Sequence, residues 1–157
     1  DSSSRSEWVL PLATSLAQQQ HARLILAHVV SQPEMPHHLP PTPQDLDLSR
    51  QISERNRTVA AKYLEDLQSQ LSVSSETRLI ISNHVADTLH TLVSEENIDL
   101  VVLSAHGYSG IRRWPYGSIT LNFIAYGTTP LLVIQDLSQD ELRTIQTEPL
   151  TRQVKGH

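Results

Sequence analysis

Apolar positions along this chain alternate between two periods. Trp8, Val9, Leu12, Leu16 and Ala17 fall on a helical stripe. It opens at Ser4-Arg5-Ser6-Glu7, which fits a capping box in which Ser4 accepts from first-turn amides and Glu7 reaches back. Ala22 to Val30 is a short, nearly continuous apolar run, the pattern of a strand covered on both faces of a parallel sheet. Five prolines (Pro33, Pro36, Pro40, Pro41, Pro43) then impose an irregular excursion, because proline cannot donate to a ladder and holds its predecessor extended. Gln44 to Leu71 reads as a long amphipathic helix, with Leu48, Ile52, Val59, Tyr63, Leu67 and Leu71 turned inward.

The alternation then repeats. Thr77–Ile81 reads as a strand, followed by a helix from about His84 to Glu96 with Asn83 as its N-cap and Val85, Leu89, Leu92 and Val93 inward. Ile98–Leu103 is another buried-looking strand, a glycine-bearing loop follows, and Ser118–Tyr126 forms a short helix closed by Gly127 as a left-handed cap. Pro130–Gln135 is the last strand. Strands alternating with helices imply right-handed crossovers and an open α/β parallel sheet with helices on both faces. Residues 1–136 make up this domain and residues 137–157 a polar tail. A chain that opens on a helix lacks the first strand of such a scheme, so the sequence reads as an excised domain or one half of a tandem protein.

At 157 residues the chain has the length of one domain, large enough to bury a core without staples. It has no cysteine, which removes disulfides, thiolate metal sites and a cysteine nucleophile. Its histidines follow no zinc spacing, so no protein-only metal site is expected. The net charge of −5, with Lys62 and Lys155 the only lysines, argues against a nucleic-acid binder or a membrane-surface protein, both of which need a basic face. No apolar run is long enough to span a bilayer. These features point to a soluble, cytoplasmic domain.

In open α/β sheets, ligands bind beyond the carboxyl ends of the strands, where the strand order reverses. The loop that leaves Leu103 there reads Ser104-Ala105-His106-Gly107-Tyr108-Ser109-Gly110-Ile111-Arg112-Arg113-Trp114-Pro115-Tyr116-Gly117-Ser118-Ile119-Thr120. Glycines let amides approach phosphate oxygens, and a helix start adds oriented donors. Ser118 and Thr120 offer hydroxyls, and Arg112 and Arg113 are the loop's only cations, able to clamp a phosphate chain. Glycines also serve as plain turn residues, and loop chemistry alone leaves both readings standing. The P-loop and dinucleotide fingerprints are absent, and Gly107-Tyr108-Ser109-Gly110 falls one residue short of a nucleophile elbow.

The spacing Ser104-x-x-Gly107, nine residues, then Gly117-Ser118 resembles the ATP-binding signature G-x-x-G-x9-G-[ST] of the universal stress protein family. Asp1-Ser2-Ser3 resembles the turn after that family's first strand. Leu26–Val30, Ile98–Leu103 and Thr129–Ile134 resemble its second, fourth and final strands. The resemblance implies five parallel strands in the order 3-2-1-4-5, with ATP, ADP or AMP at the switch point and Mg2+ as counter-charge. By position, Asp1 and Val29 would meet the adenine and ribose, and Leu103 and Ser104 would flank ribose and phosphates. Gly107, Gly117, Ser118, Ile119 and Thr120 would hold the phosphates, with His106 beside them. Ser104 stands where the family has its first glycine and narrows the backbone's approach.

The resemblance further implies a homodimer, or a tandem pairing, through the last strand, Leu131–Gln135. The expected activity is that of a stress-response regulatory module, because the loop holds no evident general base. Slow ATP hydrolysis or autophosphorylation at Ser118 or Thr120 is the enzymatic alternative. A dimerisation domain that does not bind nucleotide is the structural one.

Overall fold

A computed structural model describes residues 4–33, 40–106 and 116–135. The element order is α1 (Ser4–Glu7), α2 (Leu10–Gln20), β1 (Leu24–Val30), α3 (Pro43–Gln70), β2 (Ser75–Ile81), α4 (Val85–Glu95), β3 (Val101–Ser104), α5 (Ser118–Tyr126) and β4 (Leu131–Ile134). The fold is α/β, and every strand pair is parallel. β1 pairs with β2 from Leu24↔Ser75 to Val30↔Ile81, and β3 pairs with β4 from Val101↔Leu131 to Ser104↔Ile134. Among the described residues these are two separate two-stranded sheets.

The first helical stripe is interrupted. Trp8 and Val9 form a turn, and α2 begins at Leu10 with Pro11 in its first turn. A proline removes one i→i−4 hydrogen bond and its ring collides with the preceding turn, so one continuous helix is excluded. The break changes which residues face inward: Ala13 and Ala17 are buried, whereas Trp8 is 57% exposed and Leu12 lies on the surface. The Glu7 carboxylate accepts from Tyr63 Oη at 2.9 Å and ties α1 to α3.

The long helix α3 packs on one face of the β1–β2 pair through Ala60, Leu64 and Tyr63. At 1.5 Å per residue, 28 residues span about 42 Å, against roughly 23 Å for the seven-residue strands. Its first half therefore overhangs the sheet. The sequence places Leu48, Ile52 and Val59 inward, but the structure leaves them on the surface, with Val59 62% exposed. The overhang is held by a capping box absent from the sequence reading: Thr42 Oγ1 accepts from the Asp45 amide, and the Asp45 carboxylate accepts from the Thr42 amide.

Below the sheet, Arg23 and Arg78 interleave with Glu76 and Glu96. Arg78 reaches Glu96 at 2.6 Å and Glu76 at 2.7 Å, and Arg23 reaches Glu96 at 3.1 Å. This cluster joins the starts of β1 and β2 to the end of α4. Two further cap assignments are corrected. Asn83 does not cap α4; its Oδ1 accepts from the Gln32 amide at 2.7 Å, while Ser82 Oγ accepts from the His84 amide. Gly127 is extended at φ −69°, ψ 139° rather than left-handed. A Cβ there would lie 2.5 Å from the Phe123 carbonyl oxygen, so close approach to the helix end, not positive φ, is what calls for glycine.

Candidate functional site

The strand β3 is short, apolar and followed by small residues, which lets the chain turn tightly at its end. Ala105, with no exposed surface, is the hub. Its amide donates to the Ile134 carbonyl at 2.7 Å, and its carbonyl accepts from the Gly117 amide at 2.7 Å. The end of β3 is thus fastened to β4 on one side and to the start of α5 on the other.

Four of the residues singled out by sequence meet at this junction through side-chain or cap geometry. Thr120 Oγ1 donates to the Ser104 carbonyl at 2.9 Å, and Ser104 Oγ donates to the His106 carbonyl at 2.6 Å. Thr120 and His106 are both buried. Gly117 is the N-cap of α5 in extended conformation, at φ −72°, ψ 165°, and supplies no side chain to cap the helix. Ser118 follows on the surface, Ile119 is half-buried, and Leu103 is half-buried on β3. Val29 lies at the carboxyl end of β1, in the other strand pair, so it shares the sheet end but not the hydrogen-bonded junction. Asp1, Gly107, Arg112 and Arg113 lie outside the described residues.

The electrostatics at α5 differ from those at α3. The start of α3 satisfies its own amides with Thr42 and Asp45. The start of α5 offers first-turn donors with glycine at the cap and no acidic residue in the first turn. Among the described residues no side chain caps this end, and a helix start carries roughly half a positive charge. Chemically it suits an anion. Of the two candidate hydroxyls, Thr120's is committed to the Ser104 carbonyl, whereas Ser118 is exposed.

One positioning contact carried no sequence signal. His90 on α4 stacks on Phe123 with ring centroids 4.2 Å apart, and its Nε2 is 2.8 Å from Asn122 Oδ1. This contact fixes where α5 lies, and therefore where its N-terminus points. Among the described residues, no group of three or more His, Cys, Asp or Glu could hold a metal ion, and no helix is long and apolar enough to cross a membrane.

The family model of the universal stress protein family matches residues 1–135. A Staphylococcus haemolyticus protein named as a universal stress protein is 22% identical over 156 residues, covering 98% of this chain and 92% of its own. Among solved structures, the universal stress protein UspA from Lactobacillus plantarum superposes with a TM-score of 0.73 at 22% identity, over 85% of this chain and 92% of that one. An Arabidopsis thaliana family member solved with AMP bound gives 0.52 at 16% identity, over 88% and 82% of the two chains. A universal stress protein in complex with cAMP gives 0.53 at 21%, over 87% and 92%.

Proposed function

This chain belongs to the universal stress protein family, and from that premise we propose that it is a stress-response module that binds an adenine nucleotide at the β3–α5 junction. The observation that carries this reading is the uncapped start of α5, held beside the end of β3 by the Gly117-to-Ala105 hydrogen bond. Two structurally similar proteins, one with AMP and one with cAMP, support the ligand class.

In this reading the amides of Ser118, Ile119 and Thr120, with the Ser118 hydroxyl, receive the phosphates. Gly117 leaves room for their approach while its own amide stays on the Ala105 carbonyl, and Gly107, Arg112 and Arg113 complete the cradle. Leu103 and Ser104 flank the ribose and phosphates, His106 stands beside the phosphates, and Asp1 and Val29 meet the adenine and ribose. Mg2+ would supply counter-charge to the phosphates. Thr120 takes part through its amide only. The junction holds, orients and partly dehydrates an anion, and it places no described base on an attacking water, so binding rather than turnover is the expected output.

The strand order 3-2-1-4-5 belongs to the same proposal. The two observed pairs, β1–β2 and β3–β4, are the neighbours which that order requires on either side of its central strand. Homodimerisation, or pairing with a tandem domain, through Leu131–Gln135 also belongs to it. Pro130 and Ile134 direct their carbonyls to β3, so Val133 turns its amide to the open edge. Val133→Pro removes that donor while sparing the β3 ladder, and sedimentation equilibrium should read the variant as a monomer. An unchanged mass would sink the edge pairing.

Calorimetric titration with MgATP, AMP and cAMP tests the nucleotide reading. Micromolar binding with negligible phosphate release is expected. Gly117→Asp should abolish it, because aspartate is a favoured N-cap that keeps α5 folded while placing a carboxylate over the same amides. If wild type and Gly117→Asp give the same heats, the junction is not the binding site.

A further inference from the structure

Between α4 and β2 lies a groove of about 430 Å³ that shares no lining residue with the β3–α5 junction. Its floor is Ile80 of β2 and Leu92 of α4, and its outer lip carries Asp87 and Glu95. His90, on the far flank of the same helix, touches Asn122 and Phe123 of α5. The groove therefore opens toward the free edge of β2, since β1 is that strand's only partner among the described residues.

That edge is equipped for pairing. The Ser82 amide donates to the Val30 carbonyl, and main-chain groups in a parallel pair alternate in direction. Ile80 and Ser82 therefore face β1, while Leu79 and Ile81 present their N–H and C=O groups outward. The charges agree. Glu76 and Glu96, below the groove, are matched by Arg23 and Arg78, whereas Asp87 and Glu95 carry no ion pair among the described residues. They stand eight residues apart on α4, about 12 Å. Positions i and i+4 of an extended chain are about 13 Å apart and share a face, with i+2 between them.

We propose that the α4–β2 groove is a docking site for an extended peptide segment with basic residues at i and i+4 and an apolar residue at i+2. The segment adds to the edge of β2 through Leu79 and Ile81. Its apolar side chain rests on Ile80 and Leu92, and its two cations meet Asp87 and Glu95. Main-chain bonds would supply affinity and the alternate side chains specificity.

The probe is a fluorescein-labelled Lys-Thr-Ile-Thr-Lys peptide, capped at both ends and followed by anisotropy on the full chain. Saturable binding is expected, weakened at least tenfold by the surface double variant Asp87→Lys/Glu95→Lys, whose circular dichroism should match wild type. Amide shift changes should centre on residues 79–81 and 84–95. A second probe, N-methylated on alternate residues, keeps the protein untouched and should lose binding if the main chain pairs. The proposal is overturned by no binding at millimolar probe, by equal binding to wild type and double variant, by equal binding of the N-methylated probe, or by self-association of the protein through β2.

Discussion

Thr120 and Ser104 sit sixteen residues apart and are joined by one hydrogen bond, from Thr120 Oγ1 to the Ser104 carbonyl at 2.9 Å. A threonine in the first turn of a helix usually turns its hydroxyl to solvent or to its own helix. Here it reaches back to the strand that precedes the loop, and it does so at 4% exposure. The bond satisfies a strand-end carbonyl and sets the separation between β3 and α5.

Thr120→Val tests that role. Valine keeps the shape and deletes the donor, which leaves the carbonyl of the half-buried Ser104 without this partner. Removing one partner of a buried hydrogen bond costs about 1–3 kcal/mol, so the urea midpoint should fall with an unchanged slope. A variant as stable as wild type would show that the carbonyl finds another donor and that the bond does not hold the junction.

The cap residues of α2 and α4 make a second case. His21 adopts φ 50° and Asn97 φ 51°. At both ends a later amide reaches back to close the turn, Ala22 to Ala17 and Ile98 to Val93, the arrangement that favours a left-handed residue. Asparagine tolerates that conformation and histidine does so poorly. His21→Gly should therefore raise stability by about 0.5–1 kcal/mol, and Asn97→Ala should lower it by a similar amount. Thermal unfolding at neutral pH separates the two, and a destabilised His21→Gly would contradict the strain assignment.

How much of this was legible beforehand depends on what kind of signal each feature leaves. β1 and α5 were readable because continuous apolar runs bounded by glycine or proline leave few alternatives. The break at Trp8-Val9 was also written in the chain, in Pro11, but the stripe of apolar residues across it masked the break. The inward face of α3 was not readable. Leu48, Ile52 and Val59 share a helical stripe with Tyr63, yet the helix outruns the sheet at Leu48 and Ile52, and Val59 lies to one side of the face that Ala60 and Leu64 bury. A periodicity cannot say where its partner ends. At the site, the spacing from Ser104 through Gly117 to Thr120 marks both ends of the loop, and the structure joins those ends by the Thr120–Ser104 and Gly117–Ala105 hydrogen bonds. What it could not give was direction. Serine and threonine look alike as phosphate ligands in a motif, and only the fold shows Thr120 turned inward and Ser118 outward. The His90 clamp on Phe123 joins residues 33 positions apart and belongs to no motif.

His28 gives a prediction in pH. It lies on the face of β1 covered by α3, its ring edge-on to Tyr63 at 5.9 Å, and Tyr63 in turn donates to Glu7. Burial lowers the His28 pKa below its ordinary 6.5. The folded protein therefore takes up this proton at lower pH than the unfolded chain. Stability from the neutral ring is fully present above 6.5 and is lost as pH falls through the folded value. Tyr63 acts at the other end of the scale. Burial, with the Glu7 hydrogen bond, raises its pKa from 10.0 to about 12, so its contribution is present below 10.0 and is lost as pH rises beyond it. His28→Phe keeps a ring against Tyr63 and removes the acid limb. Denaturant midpoints measured between about pH 7 and 5 should fall for wild type and fall less for His28→Phe, while both lose stability alike in alkali. Parallel acid slopes for the two proteins would mean that His28 is protonated without penalty in the fold and that its packing on Tyr63 does not depend on charge.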